Sequence, residues 1–138
     1  MSKNLPASAQ LENELRHFTG DLERFRHSLN PRVIYTPGVR HLAEQAGAYW
    51  LIDAIASWIG SHSFNEALRQ NERLQWLHFW KLSVDLSERS AVLTAVPDAG
   101  EAAFITQRIP FTDFPLKSVD VWAGFDGRLW TLYLPSEH

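Results

Sequence analysis

Apolar residues recur with the period of an α-helix in the first half of the chain and with the period of a β-strand in the second half. Near the start, Leu11, Leu15 and Phe18 fall on one helical stripe, and Ser8 is the expected N-cap. The pattern weakens after a Thr-Gly pair and then resumes. We therefore expect an N-terminal helical segment over residues 8–29, with a short second helix near its end.

The longest apolar stretch of the chain predicts a single buried helix over residues 37–59. Thr36 can cap this helix, and Pro37 suits its first position because the N–H that proline lacks has no partner there. A helix that is apolar on nearly all sides is buried, and a run of about 13 such residues is too short to cross a bilayer, which takes roughly 20. Polar side chains interrupt the run at three positions, Tyr49, Asp53 and Ser57.

From residue 74 onward apolar and polar residues alternate, which predicts strands joined by short turns. The expected strands cover residues 74–86, 90–96, 102–111, 119–123 and 128–134. Helices followed by hairpin-connected strands indicate an α+β fold. We expect the central helix to pack on one face of a four- or five-stranded antiparallel sheet, built from about residues 74–134, within a single domain of residues 1–138.

Composition excludes several kinds of chemistry. The chain of 138 residues has no cysteine, so disulfides, thiolate zinc sites and cysteine nucleophiles are ruled out. Its formal net charge of −3 argues against strong non-specific nucleic-acid binding, which needs a basic surface. The first residues contain no apolar segment typical of a signal peptide, and we expect a cytoplasmic protein without membrane association.

The central helix carries the sharpest candidate for a functional site. Polar side chains recur there every four residues, a spacing that places neighbours on one side of a helix. This polar ridge consists of His41, Gln45, Tyr49, Asp53 and Ser57. In one interpretation Asp53 acts as an acid, a base or a ligand. In the other it is a structural carboxylate that fixes how the helix packs, held by hydrogen bonds from Tyr49, Ser57 or a neighbouring segment, since an unpaired buried charge is costly.

The histidines do not have the spacing of a metal centre. His41 and His78 are weak candidates to act with Asp53 in catalysis, but no His-x-x-x-His or His-Glu-x-x-His pattern occurs. His78 alternates with Trp76 and Trp80, which favours a buried core histidine over a ligand. We expect neither a metal nor a cofactor.

Six tryptophans are many for a chain of this length, and some of them are candidates for an interaction surface. Those expected in the core are Trp50, Trp76 and Trp80. Those on the last helical turn and the final hairpin, where at least one is expected to be exposed, are Trp58, Trp122 and Trp130. Tryptophan is enriched among residues that anchor interfaces, so this second set provides weak candidates for binding a partner.

Several phrases of the sequence carry a family resemblance. In chain order they are FTG at 18–20, YTPGV at 35–39, AGAYWLIDAIAS at 46–57, FWKLSV at 79–84, FTDFPL at 111–116 and LPSEH at 134–138. With these phrases, over about residues 15–138, the chain resembles a family of small bacterial proteins known only as a domain of unknown function. Phe111 and His138 stand where that family usually has tyrosine. The resemblance implies a place on plasmids, integrated elements or phage-like regions, and it supplies no catalytic or binding residue.

Three classes of function follow from these observations. The first is a non-enzymatic accessory protein of a mobile element that binds a protein partner, for example an inhibitor of a host defence system of the anti-CRISPR or anti-restriction type. The second is a small enzyme that uses Asp53 with His41 or His78. The third is a nucleic-acid-binding regulatory module. A homodimer through an exposed sheet edge is compatible with each of them.

Overall fold

A computed structural model describes residues 7–19 and 23–138 and confirms the α+β class. Its helices are α1 Ala7–Leu15, α2 Pro37–Ala46, α3 Tyr49–Trp58 and α4 His62–Gln70. Its strands are β1 Phe25–Arg26, β2 Val33–Tyr35, β3 Leu77–Asp85, β4 Ser90–Val96, β5 Ile105–Ile109, β6 Ser118–Phe125 and β7 Trp130–Tyr133. Short 3₁₀ turns lie at Glu72–Gln75 and Pro135–Glu137. None of the helices described is long and apolar enough to span a membrane.

All seven of these strands belong to one mixed sheet, in the order β1-β2-β7-β6-β3-β4-β5. Neighbouring strands are antiparallel except β2 and β7, which run parallel. The expected count of four or five strands was therefore too low. The two additional strands, β1 and β2, are two and three residues long, too short for an alternating pattern to be visible in the sequence.

The expected helix near residues 21–29 is not formed in the described part of that range. Residues 20–22 lie outside the description, and Phe25 and Arg26 form the edge strand β1, paired with Tyr35 and Ile34 of β2. The extended conformation of this segment is set by a tertiary contact, because the two-residue strand β1 is held by its pairing with the neighbouring β2.

The predicted central helix is two helices. Gly47 adopts a left-handed conformation (φ 61°, ψ 39°) that ends α2, and its N–H donates to the carbonyl of Ala43. The N–H of Ala48 donates to the same carbonyl, at 2.7 Å. Glycine takes positive φ without a steric penalty and is the commonest residue at this C-cap position. Helix α2 therefore ends at Ala46, and α3 starts as a separate helix at Tyr49.

The helices cover one face of the sheet. Alternating buried residues of the strands form this inner face, including Trp80, Leu82, Leu93, Ala95, Val121, Ala123 and Leu132. They form a single apolar cluster with Val39, Leu42, Leu51, Ile52 and Ile55 from α2 and α3. Burial of this cluster is the main favourable contribution to folding.

The other face of the sheet, called the outer face below, lies outside that cluster. Cross-strand pairing places on it, among other side chains, those of Leu77, Phe79, Lys81, Val96, Asp120, Trp122 and Tyr133. None of them belongs to the core cluster or to the residues described as packed against it. The structure therefore has one buried sheet face and one open face, as is common for sheets of mainly antiparallel strands.

A buried carboxylate joins the end of the sheet to the start of α2. Glu137 Oε1 accepts hydrogen bonds from the hydroxyl of Thr36 at 2.6 Å and from the N–H of Leu134 at 2.9 Å, and Oε2 accepts from the N–H of Gly38 at 3.2 Å. Thr36 is also the N-cap, as expected, because its Oγ1 accepts from the N–H of Val39. A carboxylate at a helix N-terminus is favoured by the free N–H groups and the helix dipole.

This junction predicts that Gly38→Ala destabilises the protein by about 1–3 kcal/mol, the usual cost of overpacking. A Cβ at position 38 would lie 2.6 Å from Glu137 Oε1 and 2.8 Å from Leu134 Cδ1. The control is Gly124→Ala, where the nearest atom is Tyr133 Cε1 at an ordinary 3.5 Å. Urea unfolding followed by tryptophan fluorescence measures both variants, and an equal loss in the two would contradict the prediction.

Candidate functional site

The residues of the predicted polar ridge point to different neighbours. Because α2 and α3 are separate helices, the spacing of four does not continue through Gly47. His41 Nε2 pairs with Glu14 Oε1 of α1 at 2.8 Å, and the Ser57 hydroxyl donates to the carbonyl of Ala54 in its own helix at 2.7 Å. Gln45 and Tyr49 are exposed. The expectation of one continuous ridge was therefore wrong.

Asp53 is at the surface, not in the core, and it pairs with a histidine that the sequence analysis did not select. Its side chain is 65% exposed, whereas that of His27 is 6% exposed, and His27 Nε2 lies 2.8 Å from Asp53 Oδ1. His27 Nδ1 accepts hydrogen bonds from the N–H groups of Leu29 and Asn30, at 3.2 and 2.9 Å. These bonds require an unprotonated Nδ1. The ring N–H is therefore at Nε2, and it donates a hydrogen bond to Asp53.

A surface groove of about 510 Å³ reaches this pair. The Asn30 amide forms part of its wall and donates to the carbonyls of Ala56 and Ile59, at 2.9 and 3.1 Å, which anchors the β1–β2 hairpin to the end of α3. Both ring nitrogens of His27 are occupied, and the Ser57 hydroxyl in the groove is bonded to its own helix. The groove therefore presents a carboxylate, without a histidine free to activate a nucleophile.

His78 lies in the core, where its ring is enclosed by the aromatic rings of Phe64, Trp80, Phe104 and Trp130. The indole N–H of Trp80 donates to Nε2 at 2.7 Å, and Nδ1 is buried without a hydrogen-bond partner. Burial without a compensating charge lowers the pKa of His78 from 6.5 to about 3, because the protonated ring would be desolvated. His78 is thus a neutral core residue, and it cannot reach the surface carboxylate of Asp53.

The tryptophans are distributed differently from the expectation. Trp130, an interface candidate, is buried against Phe64 and His78, whereas Trp76, expected in the core, is 59% exposed. Trp76 follows the 3₁₀ turn Glu72–Gln75 and precedes the first residue of β3, so the strand alternation does not extend to it. Trp58 is half-buried and donates its indole N–H to Gln107 Oε1 at 2.7 Å.

Trp122 is the interface candidate that lies on the outer face, at the centre of an aromatic cluster. Its ring centroid lies 5.0 Å from that of Phe79, 6.1 Å from that of Tyr133 and 5.2 Å from that of His138, each in an edge-on orientation. Tyr133 stacks on His138 and shares a 3.0 Å hydrogen bond with its Nδ1. Partial burial raises the pKa of Tyr133. These contacts hold the rings in place before any partner binds.

Two hollows flank Trp122 on the outer face. One has a volume of about 420 Å³, and Trp76, Leu77 and Tyr133 are among the residues that line it. The other, called the aromatic groove below, has a volume of about 500 Å³ and is lined by Phe79, Lys81, Thr94, Val96, Asp98, Ala99, Gly100, Asp120 and Trp122. The outer face therefore has two concave sites, and concave sites are where proteins usually bind other molecules.

Three residues of these sites have no clear signal in the sequence. His27 lies in a short hairpin that has no periodicity, and Glu137 is separated by about 100 residues from the helix start that it binds. Phe79 falls on the face of β3 that the alternation assigns to solvent, and its contact with Trp122 arises only from the pairing of β3 with β6. Within residues 7–19 and 23–138, no group of three His, Asp or Glu side chains is arranged to hold a metal ion.

Comparison with known protein families gives a match over nearly the whole chain. The model of a family of unknown function (DUF6876) matches residues 9–138, nearly the whole chain. No curated protein and no solved structure matches this chain.

His27 is expected to matter more for stability than Asp53. His27→Ala leaves the N–H groups of Leu29 and Asn30 without their acceptor, which costs about 2 kcal/mol. Asp53→Asn keeps an oxygen that accepts from Nε2 and should cost about 1 kcal/mol or less at this exposed site. Urea unfolding compares the two variants, and an equal or larger loss for Asp53→Asn would show that the charge of Asp53 holds this site together.

The lowered pKa of His78 predicts a loss of stability in acid. Between pH 6.5 and about 3 the unfolded chain binds a proton at His78 that the folded chain does not bind. The free energy of unfolding therefore falls by up to about 1.4 kcal/mol per pH unit as the pH falls. His78→Gln cannot be protonated and can still accept from Trp80, so it should flatten this slope. His17→Gln, at an exposed histidine, is the control, and equal flattening in both variants would contradict the prediction.

Proposed function

The chain belongs to this family of unknown function, and we propose that it is a non-enzymatic protein-binding module whose outer face receives the partner. The observation that carries the proposal is the aromatic cluster on a sheet face that lies outside the core. Phe79, Trp122 and Tyr133 are half-buried there, without a helix of the core cluster packed on them. Aromatic side chains on an open surface are the usual anchors of protein interfaces.

The arrangement of the outer face supports binding rather than catalysis. Its rings hold one another through edge-on contacts, so little side-chain freedom is lost when a partner docks on them. The charged groups at the centre of the face, Lys81 and Asp120, lie on neighbouring strands and directly opposite each other. A ring cluster with a few polar groups is the typical centre of an interface.

The enzymatic alternative has less support. Asp53 lies in a groove, as that hypothesis requires, but His41 is bound to Glu14 and His78 is enclosed in the core. The partner of Asp53 is His27, which has no free nitrogen. If Asp53→Asn abolished the cellular effect of the protein without changing its stability, the enzymatic alternative would replace the proposal.

Nucleic-acid binding is also less well supported, although aromatic side chains on a sheet can stack single-stranded bases. The net charge of −3 opposes attraction to a phosphate backbone. At the centre of the outer face the positive charge of Lys81 lies opposite the carboxylate of Asp120. Binding of an oligonucleotide at low salt, lost on Trp122→Ser, would favour this class instead.

The outer face predicts a site-specific photo-crosslink to another protein. Phe79 is replaced by p-benzoylphenylalanine in the full chain, expressed in a bacterial host, and the adducts are identified by mass spectrometry. We expect a discrete protein adduct from position 79 that disappears when Trp122→Ser is added. The matched control is the same replacement at Leu29, which is 86% exposed beside the Asp53 groove.

The outcomes of this experiment separate the possibilities. No adduct from position 79, or the same adducts from positions 79 and 29, would contradict a binding surface on the outer face. The finer form of the proposal is inhibition of a host defence system, a role that would suit the place on mobile elements that the family resemblance implies. It requires that the crosslinked protein be a subunit of such a system, and any other partner identity contradicts that finer form alone.

A further inference from the structure

We propose that the aromatic groove is a pocket for an arginine side chain of the protein partner. This inference deepens the proposed function and rests on it. The juxtaposition that supports it is the edge-on pair of rings of Phe79 and Trp122, with Asp120 two residues before Trp122 on the same face of β6 and in the same groove.

The walls of the groove are suited to a flat cation. The ring centroids of Phe79 and Trp122 lie 5.0 Å apart in an edge-on contact with an interplanar angle of 80°, and both rings line the groove. The negative face of an aromatic ring attracts a cation, most strongly for tryptophan, and arginine is the cation most often found there. A guanidinium can stack flat on one of these walls with its edge directed at the groove floor.

The charges of the groove complete the match. Asp98 and Asp120 contribute two carboxylates and Lys81 one ammonium, which leaves an excess of one negative charge. Asp120 has no ion pair or side-chain hydrogen bond within the described residues, although Lys81 lies opposite it in the sheet. Two basic side chains outside the groove lining are paired with acids, Arg73 with Glu101 at 2.7 Å and Arg16 with Glu12 at 3.3 Å.

Other side chains fit this groove less well. An acidic side chain would find Lys81, but it would also be repelled by the two carboxylates of Asp98 and Asp120. A lysine would gain the charge attraction but not the stacking, since its ammonium is a compact, strongly hydrated charge. Arginine uses both features, because its planar fork can stack on a ring and donate two hydrogen bonds to one carboxylate.

The test uses the isotopically labelled full chain and a short probe peptide. Acetyl-Gly-Arg-Gly-amide is titrated while two-dimensional ¹H–¹⁵N spectra are recorded. We expect saturable shifts of the Trp122 indole N–H and of the Lys81 and Asp120 amides. The same peptide with citrulline, which has the shape of arginine without its charge, should bind at least tenfold more weakly. Absence of shifts, or equal binding of a glutamate peptide, would overturn the proposal.

Variants separate the groove from general charge attraction. Asp120→Asn should weaken binding of the arginine peptide at least tenfold. Asp113→Asn makes the same charge change at an exposed carboxylate outside the groove lining, and it should leave binding of the peptide unchanged. Lys81→Met removes the ammonium that repels a second cation in the groove, and it should strengthen binding. Loss of binding in Lys81→Met, or equal weakening by the two aspartate variants, would show that the groove does not select arginine. A preserved, dispersed spectrum shows that each variant is folded.

Failure of this inference can be told apart from failure of the proposed function. If position 79 crosslinks to a protein whose affinity is unchanged by Asp120→Asn, the arginine pocket is wrong and the binding surface remains. If the arginine peptide binds in the groove but no protein adduct forms from the outer face, the proposed function is wrong although the pocket exists.

Discussion

The hydrogen bonds of the Glu137 carboxylate fix the relation between the sheet and the helices. Three donors from two distant parts of the chain, the Thr36 hydroxyl and the N–H groups of Gly38 and Leu134, meet on one side chain. Beside this junction the N–H of Thr36 donates to the carbonyl of Leu132, which continues the parallel pairing of β2 with β7. A parallel pair needs a long connection, and here the connection includes most of the fold. The carboxylate therefore ties the start of α2 to the segment that follows β7 and holds the helix against the end of the sheet.

That placement gives the sheet two different faces. The inner face is buried with α2 and α3 in one apolar cluster, and His78 is neutral because it lies inside that cluster. The outer face keeps its aromatic residues at the surface, where they contact one another and not the core. Packing thus accounts for the inner residues, whereas it does not require Phe79, Trp122 and Tyr133 to be aromatic. This difference is the physical reason for assigning function to the outer face.

Much of the fold could be read from local patterns, and the errors have identifiable causes. Strand β4 has the predicted bounds, Ser90–Val96, and Thr36 caps α2 as expected, because alternation and capping are local signals. The central helix was predicted as continuous, because the helical pattern of apolar residues continues on both sides of Gly47. That single glycine nevertheless ends α2. The candidate site was harder to predict. Apolar flanks suggested a buried Asp53, but its side chain points to solvent and its partner His27 lies in a hairpin without periodicity.

The sequence by itself determined the α+β class, most of the helix and strand positions, and the absence of any chemistry that needs cysteine. These are properties of composition and of neighbouring residues, and the match of the family model to residues 9–138 rests on the sequence as well. Only the tertiary structure decided that Trp130 is buried and Trp122 is at the surface, that Glu137 binds the start of α2, and that the rings of Phe79 and Trp122 are in edge-on contact. Those facts depend on the register and order of strands far apart in the chain, and a local pattern of apolar and polar residues carries no information about which distant strands pair.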